Sequence, residues 1–367
     1  MRVLVVNAGS SSLKLRLLGP RDEVLAALDL PPFSSGETWE RLGTFLREAE
    51  PVDAIGHRVV HGGAEFRESV PVTDAVLTRL QRVSALAPLH NPPALSALEA
   101  VRRLAPSVLN VACFDTAFHA TIPEAAATYA IPLAWRQERG VRRYGFHGLS
   151  HAYSARHTAE LLGRSSEELR VVTCHLGAGA SLAAVAFGRS VDTTMGFTPL
   201  EGLVMATRSG SVDPGALLWL QRSCGIPPEE MERALEKESG LLALAGSADM
   251  REVIRRSEAG DERARAGLDV YVHRLRLSIA SMASSMAGLD AITFTGGVGE
   301  ASSRVRDAAC EGLRFLGASL DPALNETAGA ADADLSSPAA AVRVLLVHAR
   351  EDLEIAREVR GVASSDG

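Results

Sequence analysis

Cysteine is scarce in this chain: 4 residues in 367, at positions 113, 174, 224 and 310. None forms a C-x-x-C pair or a zinc spacing, which excludes a disulfide scaffold and a zinc-binding module. Cys113 and Cys174 fall inside apolar runs and read as buried thiols. No apolar run reaches membrane-spanning length, and the N-terminus is a core strand, not a basic segment followed by a signal sequence. No basic tract stands out either: Lys+Arg 38 against Asp+Glu 45 gives a net charge of −7, which argues against nucleic acid as a partner. These absences predict a cytoplasmic protein that binds neither membrane nor nucleic acid. What is present is 46% hydrophobic and 23% charged residues, the composition of a globular protein. The length suits two domains of roughly 150–200 residues each. The mild negative charge does not bar an anionic substrate, because a local cluster of Arg, Lys and Mg²⁺ can override it.

The richest signal is the start of the chain. Val3-Leu4-Val5-Val6 is an apolar strand, Asn7-Ala8-Gly9-Ser10-Ser11-Ser12 is a polar turn, and Leu13-Lys14-Leu15-Arg16-Leu17 alternates at the strand period. Most phosphate-binding loops run into a helix N-terminus. Here the second element is a strand, so the pattern predicts a β-hairpin. Its turn offers hydroxyls, backbone N–H groups and the Lys14 ammonium to an anion. Lys14 is expected on the face opposite the leucines. The Asn7 carbonyl oxygen is placed to hold Mg²⁺ or one of its waters. A turn that merely closes a hairpin is the other reading of the same residues.

Further strands are predicted at 54–60 and 108–114, helices at 38–48, 74–86 and 93–104, and a loop-rich stretch over 116–150. Asn91-Pro92-Pro93 is a helix start with proline in the first turn. The second half repeats the opening theme. Residues 171–185 again read strand, glycine-rich turn, strand, which predicts two halves of related α/β architecture facing a common cleft. Helices follow at 214–224, 228–238 and 261–287, then a strand at 291–295, a turn at 296–300, a last strand at 342–347 and a C-terminal helix. The Ala-, Ser- and Asp-rich segment 328–341 is predicted as a surface loop.

Three glycine-bearing turns follow strands, at 9–12, 177–181 and 296–299. Glycine lets a backbone approach a phosphate and aim consecutive N–H groups at it. One such turn is weak evidence; three suggest a nucleotide held between two sheets. Arg58, in His57-Arg58-Val59-Val60-His61-Gly62-Gly63, and Arg208, in Ala206-Thr207-Arg208-Ser209-Gly210, each read as a fork for a carboxylate or phosphate, or as surface arginines. Asp115 follows an apolar strand and either holds a nucleophile or metal, or caps a turn. His90, His147 and His175 sit in Gly-, Pro- or Asn-rich turns, where an imidazole can donate to a phosphoryl oxygen or serve structure alone. Glu351 and Asp352 open the last helix, where a carboxylate can bind Mg²⁺ or simply complement the helix dipole.

In their order along the chain these stretches resemble the acetate and propionate kinase family, within the superfamily of actin, sugar kinases and heat-shock chaperone ATPases. The motifs that carry the resemblance are the Asn7–Lys14 hairpin, His57 to Gly63, Phe114-Asp115-Thr116-Ala117-Phe118-His119, Tyr144-Gly145-Phe146-His147-Gly148-Leu149-Ser150-His151, His175-Leu176-Gly177, residues 195–202, Thr207-Arg208-Ser209-Gly210 and Gly296-Gly297-Val298-Gly299-Glu300. The resemblance implies two related domains of actin-like, ribonuclease H-like fold flanking a nucleotide cleft. Residues 1–148, completed by the helix at about 352–367, would be the acyl and phosphate domain. Residues 149–351 would bind nucleotide and dimerise. It implies reversible transfer of the ATP γ-phosphoryl group to acetate, giving acetyl phosphate and ADP with Mg²⁺ (or Mn²⁺), by a homodimer. The implied roles are Asp115 as acid/base and positioning residue, with His147 and Arg208 stabilising the transferring group. Arg58 and His90, with Val60, Leu89, Phe146 and Pro199 around the methyl group, would bind the acid. Ser10, Ser12 and Lys14 would face phosphate. His175, Leu176, Gly177, Ala178, Gly179, Asp249, Met250, Arg251, Gly297, Val298, Gly299, Glu300 and Ala301 would contact ATP, and Asn7 and Glu351 the metal.

Four departures from the family pattern stand out. The family has asparagine at the positions of Ala178 and Ala301, an acidic residue at Ser211, and Thr-Asp or Thr-Asn where His348-Ala349-Arg350 precedes Glu351. The chain is also shorter than typical members. These changes are expected on the nucleotide and metal side, weakening or altering nucleotide affinity while leaving the chemistry. Two alternatives stand beside acetate kinase activity. One is propionate or another short-chain acid as substrate, since an apolar pocket separates such acids by only about 1–3 kcal/mol per methylene. The other is a non-catalytic ATP-dependent clamp or regulator. Against it stands the joint presence of Asp115, Arg58, His147 and Arg208, which a clamp does not need.

Overall fold

A computed structural model describes residues 1–9, 12–31, 36–48, 51–88, 90–329 and 331–365. The chain forms two compact units: Met1–Ala120 with Phe146–Tyr153 and Arg350–Gly367, and Thr121–Gly145 with Ser154–Ala349.

In the first unit the described strands are β1 (Val3–Ala8), β2 (Leu13–Leu18), β3 (Val24–Leu30), β4 (Ala54–Val59), β5 (Val70–Pro71) and β6 (Leu109–Phe114), in the sheet order β3-β2-β1-β4-β6-β5. The β1–β2 pair is the antiparallel hairpin expected from sequence, with Asn7 opposite Lys14. Strands β1, β4 and β6 run parallel, while β3 and β5 are antiparallel edges. The period-2 alternation of β1 divides the core. Leu4, Val6 and Ala8 pack with Ala94, Ala97 and Val101 of the helix Asn91–Leu104. Val3 and Val5 face Ile355, Ala356 and Val359 of the helix Glu351–Ser365 on the other side. Gly56 lets that helix sit directly on β4: a Cβ there would lie 2.5 Å from Ile355 Cγ2.

The second unit holds β7 (Arg170–Leu176), β8 (Ala180–Ala186), β9 (Arg189–Thr193), β10 (Ala291–Thr295), β11 (Ala333–Asp334) and β12 (Arg343–Leu346), in the order β11-β12-β10-β7-β8-β9. Strand for strand this is the plan of the first sheet. A hairpin (β7–β8) extends to a third antiparallel strand, two parallel neighbours follow on the other side, and a two-residue antiparallel edge closes the row. The internal repetition read from sequence is thus a repetition of topology.

Several elements differ from expectation. Strand β3 is mostly exposed and carries no clean alternation, so it was silent in the sequence. The stretch 116–150 contains the short helices Glu124–Ala127 and Leu133–Arg139. The turn expected at 296–300 is the helix Gly296–Ala301, which starts on a left-handed Gly296. The loop expected at 328–341 contributes β11, paired to β12. Cys113 and Cys174 are buried thiols, as expected. Among the described residues no helix is long and apolar enough to cross a membrane.

Candidate active site

Parallel strands that are neighbours in a sheet bring their C-terminal ends to one edge, where open α/β sheets bind ligands. In the first unit this edge gathers four of the sequence-derived candidates. Asn7 is the penultimate residue of β1, Arg58 that of β4, and Asp115 follows β6 directly. Glu351 opens the helix that packs on the same strands. Arg58 donates from Nε to Asp115 Oδ1 at 3.0 Å and from Nη2 to Oδ2 at 2.7 Å, a bidentate fork. Its remaining nitrogen, Nη1, donates to Asn7 Oδ1 at 3.3 Å and lies 3.1 Å from Glu351 Oε2. Asn7 Nδ2 also donates to Glu351 Oε2, at 3.2 Å.

The electrostatics of the four are coupled. Asp115 is 1% exposed. Burial pushes its carboxyl up from the ordinary range and Glu351 adds to this, while Arg58 opposes both. Burial would push the Arg58 guanidinium down, but Asp115 and Glu351 outweigh it and hold the group firmly protonated. The result is a fixed positive charge bound on one side to a buried carboxylate and, through Nη1, to Asn7 and Glu351 on the other. Asn7 Oδ1 and Glu351 Oε2 already converge on a positive group, Nη1. Such hard oxygens suit Mg²⁺, which commonly takes one or two protein ligands and completes its shell with water and substrate phosphate. Among the described residues no three His, Cys, Asp or Glu side chains form a protein-only metal cage. Asn7 Oδ1 and Glu351 Oε2 are the oxygens here whose chemistry fits such a metal.

His147 lies beside this cluster with φ 55°, a left-handed conformation that costs a non-glycine residue about 1–3 kcal/mol. Gly148 N donates to Asp115 O at 2.9 Å, and a Cβ on Gly148 would sit 2.0 Å from that oxygen. Only glycine permits the approach. Next to Val60, the His61 ring meets Phe146 edge-on at 5.3 Å. Lys14 is exposed on the face of β2 opposite Leu13, Leu15 and Leu17, as its alternation implied. The hairpin turn is closed by Gly9 N donating to Ser12 O at 2.8 Å. His90 precedes the helix Asn91–Leu104 as its cap residue, without a side-chain capping bond. Ser10 and Leu89 lie outside the described residues.

The second unit contains a cavity of about 980 Å³. Gly177 and Ala178 after β7, Gly297, Val298 and Ala301 after β10, and Asp249, Met250 and Arg251 all line it. The turn after β7 and the start of the helix after β10 meet because β7 and β10 are parallel neighbours: a Cβ on Gly296 would lie 2.9 Å from Leu176 O. Asp249 caps the helix Met250–Glu258 and binds the Arg251 side chain at 2.7 and 3.0 Å, so these two charges satisfy each other. That contact holds the Asp249 carboxyl below its usual range. Ser302 caps the helix Ser303–Glu311, so a helix start, a natural anion site, also faces the cavity.

Other candidates do not line this cavity. His175, Leu176, Gly179, Gly299 and Glu300 are not among the lining residues. Glu300 instead accepts from Gly296 N and Ala349 N, both at 2.8 Å, and ties two loops together. Arg208 donates to Pro199 O at 2.9 Å; burial lowers its pKa and Glu236 opposes that. Sequence reasoning missed Tyr271, Arg255, Ser302 and Arg304 as lining residues. Tyr271 reads in sequence as helix core; it lines the cavity, while its buried hydroxyl has no hydrogen-bond partner among the described residues.

Residues 40–357 match the acetokinase family. The chain belongs to that family. An acetate kinase of Nostoc punctiforme is 44% identical over 97% of this chain and 98% of its own length. The crystal structure of Porphyromonas gingivalis acetate kinase is similar at a TM-score of 0.92, with 35% identity and 99% of both chains covered. A propionate kinase from Francisella tularensis is similar at 0.91 and 35%, covering 98% of this chain and 99% of that one. The two α/β units are the fold of these acetokinases, and a ROK hexokinase of Thermus thermophilus shares that fold in outline, at a TM-score of 0.50 and 16% identity over the whole of both chains.

Two of the departures from the acetokinase pattern, Ala178 and Ala301, do line the large cavity. Ser211 does not. It lines a separate cavity of about 320 Å³ with Arg143, Asp192 and Arg274, and its hydroxyl accepts from Gly202 N at 3.1 Å. His348 is bound through Nδ1 to Asp332 at 2.6 Å, and Asp332 also meets His157 Nε2 at 2.9 Å.

Proposed function

We propose that the protein transfers the γ-phosphoryl group of ATP reversibly to the carboxylate of acetate, giving acetyl phosphate and ADP. The observation that carries this reading is the Asn7–Arg58–Asp115–Glu351 cluster at the strand ends of the first unit. A carboxylate substrate is already ionised at neutral pH, so no strong base is required. Catalysis then rests on alignment and on neutralising charge in a metaphosphate-like transition state. Asp115 holds two nitrogens of Arg58 and so fixes the third, Nη1, beside Asn7 and Glu351. An incoming carboxylate competes there with Asn7 and Glu351, both neighbours of that nitrogen. In this reading Asp115 orients the acid, while Val60, Leu89, His90, Phe146 and Pro199 belong to the acid-binding residues. His147 and Arg208 supply positive or donor groups to the phosphoryl oxygens, and Ser10, Ser12 and Lys14 lie on the phosphate side. Asn7 and Glu351 would hold Mg²⁺, or Mn²⁺, which when bound neutralises phosphate charge.

ATP and ADP are assigned to the cavity of the second unit. Support comes from the glycine-bearing turn after β7, the glycine-rich helix Gly296–Ala301 after β10 and the start of the helix Ser303–Glu311, all of which line it. The domain assignment 1–148 with about 352–367 for the acyl side, and 149–351 for nucleotide and dimer contacts, belongs to the same proposal. So do the homodimer and the cytoplasmic location. A hydroxamate assay for acyl phosphate, with ATP, Mg²⁺ and acetate, propionate or butyrate, tests the reading; Asp115→Ala is the control. Product with acetate that disappears in the control supports it. No ATP-dependent product with any short acid would sink it. Propionate is the second reading: the chain is 35% identical to the Francisella propionate kinase, as it is to the Porphyromonas acetate kinase. A higher kcat/KM for propionate than for acetate would select it.

A further inference from the structure

His119 is buried, 2% exposed, on the 3-10 turn Ala117–Thr121 that follows Asp115. Its Nε2 lies 3.0 Å from Phe146 O. A carbonyl oxygen can only accept, so Nε2 carries the proton. Phe146 O belongs to the peptide that leads into His147, the residue with left-handed backbone. The next peptide is held from the same segment, by Gly148 N donating to Asp115 O at 2.9 Å. The His147 backbone N–H also acts on the Asp115 carboxylate, lowering its pKa. Both peptides flanking His147 are therefore pinned by residues 115–119. The His119 ring is itself wedged between Phe118 at 5.5 Å and His151 at 5.7 Å, so it has little freedom to release its bond.

We propose that His119 is a positioning residue for phosphoryl transfer: its Nε2–H locks the peptide entering His147 and so holds the His147 side chain in register with Asp115. The inference rests on the role given to His147 in the proposed reaction. His119 itself touches no reacting atom. Burial holds its pKa down at about 4, so it keeps the neutral donor form throughout the neutral range.

The test is a double-mutant cycle on the full-length protein. His119→Met fills the space without a donor, and His119→Gln returns an amide N–H at similar reach. The Met variant should lose about 10²-fold in kcat, the scale of a misplaced catalytic group, with KM for acetate and ATP little changed. The Gln variant should recover most of that loss. In a His147→Ala background, His119→Met should cause no further fall in kcat, because its target is gone. Equal fold-losses in both backgrounds, a loss confined to KM, or no recovery in a folded Gln variant would each overturn the proposal. If the Met variant does not fold, ¹⁵N-histidine spectra of the unmodified protein decide. One neutral ring with its proton on Nε2 from about pH 5 to pH 9, assigned to His119, is expected; an Nδ1–H tautomer or a titration in that range refutes it. Absence of acyl phosphate formation by the unmodified protein would instead sink the assigned reaction.

Discussion

Arg58→Ala should damage stability and activity together, and a compensated double variant should separate them. Asp115 is 1% exposed and takes two charge-assisted hydrogen bonds from Arg58, at 2.7 and 3.0 Å. Removing the guanidinium leaves a buried carboxylate without its countercharge. Breaking a buried pair in this way costs about 3–5 kcal/mol. The penalty should depend on pH. Burial already pushes Asp115 up, and without Arg58 nothing of comparable strength opposes it. The folded variant then takes up a proton that the unfolded chain does not, so its stability falls as pH rises. Arg58→Met combined with Asp115→Leu replaces both charges by apolar groups. It should return to within about 1 kcal/mol of the unmodified protein, because the desolvation penalty of both ions is removed with their attraction. Acyl phosphate formation should stay lost in both variants. Urea unfolding followed by Trp39 fluorescence reads the first unit, once the exposed Trp135 and Trp219 are changed to Phe. A double variant no more stable than Arg58→Ala would refute the reasoning.

Other outcomes follow from the same structure. Burial pushes Glu358 up from the ordinary 4.5 to about 7, with Glu354 adding and a hydrogen bond from Ser69 opposing. At about 1.4 kcal/mol per pH unit, this group costs nothing below pH 4.5 and about 3 kcal/mol above pH 7. Glu358→Gln should therefore leave stability unchanged at about pH 4.5 and raise it at pH 8, read as thermal midpoints across that range; a gain at low pH instead would contradict the assignment. Ala178→Asn places an amide on the wall of the large cavity. One hydrogen bond to a charged phosphate is worth about 1.5–3 kcal/mol, so ATP binding by calorimetry should tighten about tenfold or more, and an unchanged Kd would remove Ala178 from the phosphate side.

Much of the fold could be read from sequence where burial is one-sided. Leu13, Leu15 and Leu17 alternate with Lys14 and Arg16 because over that stretch of β2 one face meets the core and the other does not, and the hairpin followed directly. The edge strand β3 buries little and left no such trace. The helix Met250–Glu258 is largely charged and buries only Met250 and Val253, too few positions to declare a period. In the site, residue types were legible one at a time: an arginine beside glycines, an aspartate at a strand end. Their pairing was not, since it depends on β4 and β6 being sheet neighbours, with Arg58 beside Cys113 and Val59 beside Phe114. The cavity shows the same limit. Its glycine turns were marked by composition, while Tyr271 looks like any core residue of a long helix until the tertiary fold leaves its hydroxyl without a partner.

The most direct test of the central claim is ³¹P NMR of the protein mixed with ATP, Mg²⁺ and acetate. An acetyl phosphate resonance is expected that grows in step with ADP, reverses when acetyl phosphate and ADP are supplied, and is lost in Asp115→Ala with the fold retained. ADP released with inorganic phosphate and no acyl phosphate, from acetate or any other short-chain acid, would contradict it.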